Sequence, residues 1–174
     1  MRRTGRSKEN ITPEKKQEQR ELLRLFSVNI RKILKNTKLE AEDLQEIRLR
    51  IGAPLLVVAK DREYFLTPDG ELTGEWEKGY PVSQEDIRDT MDYIGSFSLY
   101  AYEDELRQGF LTVEGGHRIG IAGKTVMEGE KVKGISHISC INVRIAHEKK
   151  GCADCVMPYL REDGRFLHTL IVSA

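Results

Sequence analysis

Arg118 and Arg144 are the residues whose type and setting best suit chemistry on an anion. Arg118 follows Glu114-Gly115-Gly116-His117. Paired glycines make a tight turn and let backbone approach closely. The segment reads either as a hairpin turn with exposed side chains, or as a turn that hands Arg118 to phosphate oxygens, which a guanidinium matches in shape. Arg144 lies in Ile141-Asn142-Val143-Arg144-Ile145-Ala146. Strand alternation sets Val143 and Ile145 to one side and Asn142 and Arg144 to the other. A strand arginine on a polar face is ordinarily solvated or paired with an acid. It becomes functional if that face meets a nucleotide.

Other patterns carry less. Gly120-Ile121-Ala122-Gly123-Lys124-Thr125 ends like a Walker A loop. That loop needs glycine at 118, where Arg118 stands, and its lysine should open a helix whose amides hold phosphate. Here Val126-Met127-Glu128-Gly129 runs on into a hairpin, so the segment reads as a glycine-bearing strand. Cys152-Ala153-Asp154-Cys155 is a lone C-x-x-C without a second pair or histidines at zinc spacing, and reads as incidental. His117, His137, His147 and His168 are too scattered to suggest a metal site. No Ser/His/Asp or paired-carboxylate arrangement stands out, so no catalytic residue is assigned.

The elements that must position the arginines read as follows. Thr12-Pro13-Glu14 starts a helix, with a hydroxyl N-cap, proline at the first helical position and an acid behind it. Leu22, Phe26, Ile30, Ile33 and Leu34 continue at helical spacing, giving one amphipathic helix over about residues 12–36. Its apolar side packs on the core or docks on a partner. Alternation predicts a strand over Gln45–Arg50, a second over Leu55–Ala59 and a third over Glu63–Leu66, with an irregular loop over 70–81. Ser83-Gln84-Glu85-Asp86 resembles a capping box and opens a helix carrying Ile87, Met91 and Ile94. A further helix runs from Ser98 to Gln108, stopped by Gly109. Five short strands with glycine turns follow, over 110–113, 117–122, 125–127, 131–133 and 140–146. A helix after Gly151 reaches about Leu160.

The chain closes on Leu167-His168-Thr169-Leu170-Ile171-Val172-Ser173-Ala174, which reads as one apolar strand buried on both faces of a parallel sheet. Such strands introduce phosphate-binding loops. The expected fold class is α+β: an N-terminal helix, then a small mixed or antiparallel sheet with helices on one face. The last helix and strand begin a new, parallel sheet. The expected divisions are a basic tail over 1–11, the α+β domain over 12–147, and a linker, helix and first strand of a further, truncated domain over 148–174.

Composition bounds the function classes. In 174 residues, 28 Lys and Arg balance 28 Asp and Glu, so net charge points to no nucleic acid and no acidic partner. Arg2, Arg3, Arg6 and Lys8 make the tail locally basic, either as a solvated tail or as a contact for an anionic surface. No apolar stretch follows it, and the run Leu55–Ala59 is far too short to span a bilayer. Three cysteines fit a reducing cytoplasm.

Four blocks carry a resemblance. Glu46-Ile47-Arg48-Leu49-Arg50-Ile51-Gly52-Ala53-Pro54-Leu55, Ser98-Leu99-Tyr100-Ala101-Tyr102-Glu103-Asp104-Glu105-Leu106, Gly115–Gly123 and Ile141–Ala146 resemble, in order and spacing, the stage III sporulation protein AA family. That family is similar to the AAA-type ATPases of type II and type IV secretion. The resemblance implies a cytoplasmic motor, in the mother cell, of the channel between mother cell and forespore. It also implies ATP and Mg2+ as cofactors of the full-length protein, a homo-oligomeric ring, membrane proteins of the channel as partners, and peripheral membrane association through them. In the family the strand Leu170-Ile171-Val172-Ser173 leads into the Walker A loop, so the resemblance implies that 148–174 are the linker, opening helix and first strand of a truncated RecA-like α/β ATPase domain. This chain stops before the loop, so no nucleotide is expected to bind this stretch alone. The secretion ATPases further imply that strands ahead of the loop supply arginines to the terminal phosphate. Arg144 and, less directly, Arg118 match that pattern, with Gly115, Gly116 and His117 supporting turn and cleft. Two rival readings stay open. One is an autonomous module that docks on a membrane channel component. The other is a nucleic-acid face built from Arg48, Arg50, Arg118 and Arg144, against which the balanced charge and absent stacking aromatics weigh.

Overall fold

A computed structural model describes residues 13–95, 109–147, 151–170 and 172. The basic tail, the helix expected over 98–108 and the residues Ile171, Ser173 and Ala174 lie outside the described residues.

The single helix expected over 12–36 is two helices, α1 (Pro13–Arg24) and α2 (Val28–Asn36). The break is Ser27, whose hydroxyl caps α2 by accepting from the Ile30 N–H at 3.4 Å. That hydroxyl also donates to Asp86 Oδ1 at 2.7 Å, and the Ser27 N–H donates to Thr90 Oγ1 at 3.0 Å. Apolar spacing runs through the break undisturbed. Polar partners about sixty residues away set the corner.

Strands β1 (Leu44–Arg50), β2 (Leu56–Ala59) and β3 (Arg62–Leu66) lie where alternation put them. The loop expected over 70–81 holds a two-residue strand β4 (Leu72–Thr73) and a 3-10 turn at Trp76–Lys78. Helix α3 (Gln84–Gly95) opens on the expected capping box. Ser83 Oγ accepts from the Asp86 N–H and Asp86 Oδ2 from the Ser83 N–H, each at 3.0 Å. The strands expected as five short pieces are three: β5 (Phe110–Thr112), β6 (Arg118–Glu128) and β7 (Lys131–Arg144). Gly123, read as a turn residue, is instead where β7 bulges against β6. A side chain there would meet Ser136 O at 2.6 Å and Ile138 Cα at 2.9 Å.

The seven strands form one antiparallel sheet in the order β4-β3-β2-β1-β7-β6-β5. The register aligns Val57, Ile47, Val143, Ile119 and Leu111 in one row across five strands. All five are buried, as are Leu49 and Ile141 in the next row. Helices α2 and α3 cover this face with Ile30, Ile33, Ile87 and Ile94, and Phe26 adds its ring at the corner between α1 and α2. The α+β class, with helices on one face, is therefore the observed architecture. Pairing of β6 with β5 stops at Gly120 and that of β7 with β1 at Cys140. Beyond those points β6 and β7 continue as a two-stranded ribbon.

After β7 the expected helix shrinks to one turn, α4 (Met157–Leu160), followed by a hairpin of β8 (Arg161–Glu162) and β9 (Arg165–Phe166). Of the strand expected over 167–174, residues 167–170 and 172 have no strand pairing, and Leu170 and Val172 are 86% and 82% exposed. A strand needs a hydrogen-bonded neighbour, and no described strand offers one.

Candidate functional site

Alternation that buries Ile47, Val143 and Ile119 must turn their neighbours outward. The outer face therefore carries two rows of mixed polar and apolar side chains. One runs Glu63, Val58, Glu46, Arg144, Arg118 and Thr112; the next runs Phe65, Leu56, Arg48, Asn142, Gly120 and Phe110. The structure thus brings together Arg118 and Arg144 as direct cross-strand partners, both exposed.

Their surroundings differ. Arg118 lies over the Phe110 ring, its guanidinium carbon 5.3 Å from the centroid. Gly120 stands opposite Phe110 and offers no side chain to obstruct that contact. Arg144 hydrogen-bonds to no described residue, although Glu46 stands directly across from it. The Glu46 carboxylate is held elsewhere. Arg48 Nε donates to its Oε1 at 2.9 Å and Nη2 to its Oε2 at 3.2 Å, while Arg48 Nη1 reaches Glu63 Oε1 at 2.6 Å. The fork of Arg48 holds the Glu46 carboxyl below the usual carboxylate range, against a burial cost, with help from the Asn142 amide and the Arg144 charge. Glu46 and Glu63 raise the Arg48 guanidinium in turn. Asn142 Oδ1, packed between these groups, is buried without a hydrogen-bond partner.

The turn ahead of Arg118 is a tie between strands. Gly115 and Gly116 have φ of 84° and 76°, where other residues are strained. A Cβ on Gly115 would sit 3.0 Å from His117 Nε2, so the glycine also leaves room for that ring. His117 is buried, and its Nδ1 accepts from the Ala146 N–H at 3.1 Å. His117 thereby pins the end of β7 while its neighbour Arg118 faces out.

The remaining motifs fall away from this face or carry no chemistry there. Gly120–Thr125 is strand β6 and no phosphate loop. Cys152 and Cys155 are exposed free thiols in turns before α4. No group of three or more metal-ligating side chains occurs among the described residues. A groove of about 710 Å³ lies between α3 and β7, lined by Ile87, Met91, Ile135 and Ile138, and contains none of the outer-face arginines. Glu46 and Asn142 were not singled out as site residues from the sequence. The signal for the clamp was Glu46-x-Arg48 on an alternating strand, a spacing that puts acid and base on one face.

Fold and face together define an antiparallel α+β domain that covers one side of its sheet with helices and shows an arginine-rich surface on the other. Comparison with known proteins then fixes its lineage. The family described as sporulation stage III, protein AA, matches residues 14–174, and the chain belongs to that family. It is 32% identical over 130 residues to stage III sporulation protein AA of Bacillus subtilis (strain 168), a match covering 75% of this chain and 38% of that relative. The chain thus spans well under half the length of the curated relative it matches. No solved structure matches it. No described helix is long and apolar enough to cross a membrane.

Proposed function

We propose that this chain is the N-terminal portion of a sporulation ATPase of the secretion type, and that its outer sheet face presents Arg144 and Arg118 to the nucleotide's terminal phosphate. The observation that carries the reading is the pair itself: two arginines opposite one another on adjacent strands, with no carboxylate closed on either among the described residues, at the end of the strand that leads out of the domain. Guanidinium forks match phosphoryl oxygens, and one such contact can be worth on the order of 10³–10⁵ in rate. ATP and Mg2+ would be held by a segment beyond Ala174. The assembled protein would be a homo-oligomeric ring, working in the mother-cell cytoplasm against membrane proteins of the sporulation channel, with no nucleic acid as partner.

The test is turnover in the protein that carries the ATP-binding segment. Arg144→Ala is expected to lower ATP hydrolysis by at least about tenfold, and to weaken ATP binding more than ADP binding, since only ATP offers the terminal phosphate. Arg118→Ala should act in the same direction, less strongly. Unchanged rates for Arg144→Ala in an assembled ring would rule the reading out.

A further inference from the structure

Glu46 has two cations within reach by register and is closed on only one. Arg144 is its direct cross-strand partner, and side chains so placed ordinarily pair, with Cβ atoms about 5 Å apart. Arg48, two residues along the same strand, takes both carboxylate oxygens in a fork and uses its third nitrogen on Glu63. We infer that Arg48 is a positioning residue for the phosphate site: by closing its fork on Glu46, it keeps that carboxylate from capturing Arg144. The inference rests on the phosphate reading for what a free Arg144 is for, though not for the pairing itself.

The geometry supports this in three ways. Glu46 is the more enclosed partner, its side chain 14% exposed against 42% for Arg48, so its charge has to be met locally. A planar guanidinium matches both carboxylate oxygens at once, which leaves no lone pair well directed at a second fork from across the strand. Glu63, three strands from Arg144 in the same row, is held by the same arginine at 2.6 Å, which fixes the Arg48 fork from its other side. Without Arg48, Glu46 would hold a charge in need of a donor, and Arg144 stands opposite.

The first test needs no phosphate. In the 174-residue protein, the Glu46 carboxyl is titrated by carbon-13 NMR in Arg48→Met and in Arg48→Met/Arg144→Ala. Capture predicts that Glu46 still titrates below the ordinary carboxylate range in the single variant and returns to that range or above it in the double variant. Identical titration in the two would overturn the inference. Should Arg48→Met fold poorly, Arg48→Lys keeps the charge and loses the fork, and the same comparison applies with smaller steps. The second test is binding of tripolyphosphate, at fixed ionic strength, to the protein that carries the ATP-binding segment. Arg48→Met should weaken it by about fivefold or more, whereas Arg62→Met, which removes the same charge elsewhere on the surface, should change it by less than about twofold. Glu46→Gln should bind no more weakly than the unaltered protein. Equal weakening by Arg48→Met and Arg62→Met would overturn the positioning role and leave only bulk charge. An unaltered protein that binds no tripolyphosphate, with the Glu46 comparison as expected, would overturn the phosphate reading alone.

Discussion

Arg118 and Arg144 face one another across β6 and β7, and among the described residues the one group that closes on either is the Phe110 ring beneath Arg118. Like charges placed opposite each other weaken a sheet. Their juxtaposition on an exposed surface therefore contributes nothing to holding the fold. In the 174-residue protein, Arg144→Ala should change unfolding free energy by under about 0.5 kcal/mol. Arg118→Ala should cost about 0.5–1 kcal/mol through the lost ring contact. Urea denaturation of both variants checks this, and a loss of several kcal/mol for Arg144→Ala would mark it as a structural arginine.

Asp86 carries the opposite burden. Its carboxylate accepts from the Ser27 and Ser83 hydroxyls, the Ser83 N–H, the Tyr80 hydroxyl and the Asn29 amide. Burial alone would raise its pKa, but these donors outweigh burial and lower it. Burial and the Asp86 bond push the Tyr80 phenol up to about 12. Asp86→Ala should cost about 3 kcal/mol, because several buried donors lose their acceptor together. The folded carboxyl is the stronger acid, so as pH falls the unfolded chain binds the proton first. The stabilisation is present above about pH 4 and drains away as pH falls through the folded value. The stability–pH slope below about pH 4 should be shallower in Asp86→Asn than in the unaltered protein, and an equal slope would show that other groups govern acid unfolding.

Gly123 and Gly134 make a matched pair on the ribbon. A Cβ at 123 would strike the β7 backbone, whereas one at 134 meets nothing within 4 Å and its backbone is in an ordinary conformation. Gly123→Ala should destabilise by about 1–3 kcal/mol, and Gly134→Ala should be neutral or slightly stabilising. Thermal melts of the two variants settle the contrast, and equal melts would mean that the bulge relaxes freely.

Residues 168–170 and 172 should exchange their amide hydrogens close to the rate of an unfolded chain, while Ile141 and Val143, inside the sheet, exchange slowest. Slow exchange at 168–172 in a monomer would show that this apolar segment already has a partner strand.

Legibility in the sequence followed the range of the forces involved. β1, β2, β3 and α3 declared themselves, because alternation and the Ser83–Asp86 capping box act within a few residues. The corner at Ser27 did not, since what breaks the helix is Asp86 and Thr90, far along the chain. β6 and β7 looked like separate pieces because Gly123, Gly129 and Gly134 read as turns. Only Gly129 lies in one, and the others sit inside strands whose pairing defines them. Alternation showed that Arg144 faces outward. It could not show that Arg118 would stand opposite, because register between two strands is settled by the whole sheet. The Arg48 clamp lay open in the spacing of Glu46 and Arg48, yet its second arm, Glu63, comes from the pairing of β2 with β3.

The ribbon formed by β6 and β7 has a consequence for handling this protein. Beyond Ala122 and Ile138 both long sides of the ribbon lack a neighbouring strand among the described residues, and Val126, Met127 and Val132 lie exposed along it. Such an edge is a template on which copies can stack into aggregates. Lys124, Lys131, Lys133, Glu128 and Glu130 crowd the same stretch, and their hydration and mutual repulsion between copies act as gatekeepers. High salt, by screening those charges, is then expected to promote association of copies along the ribbon.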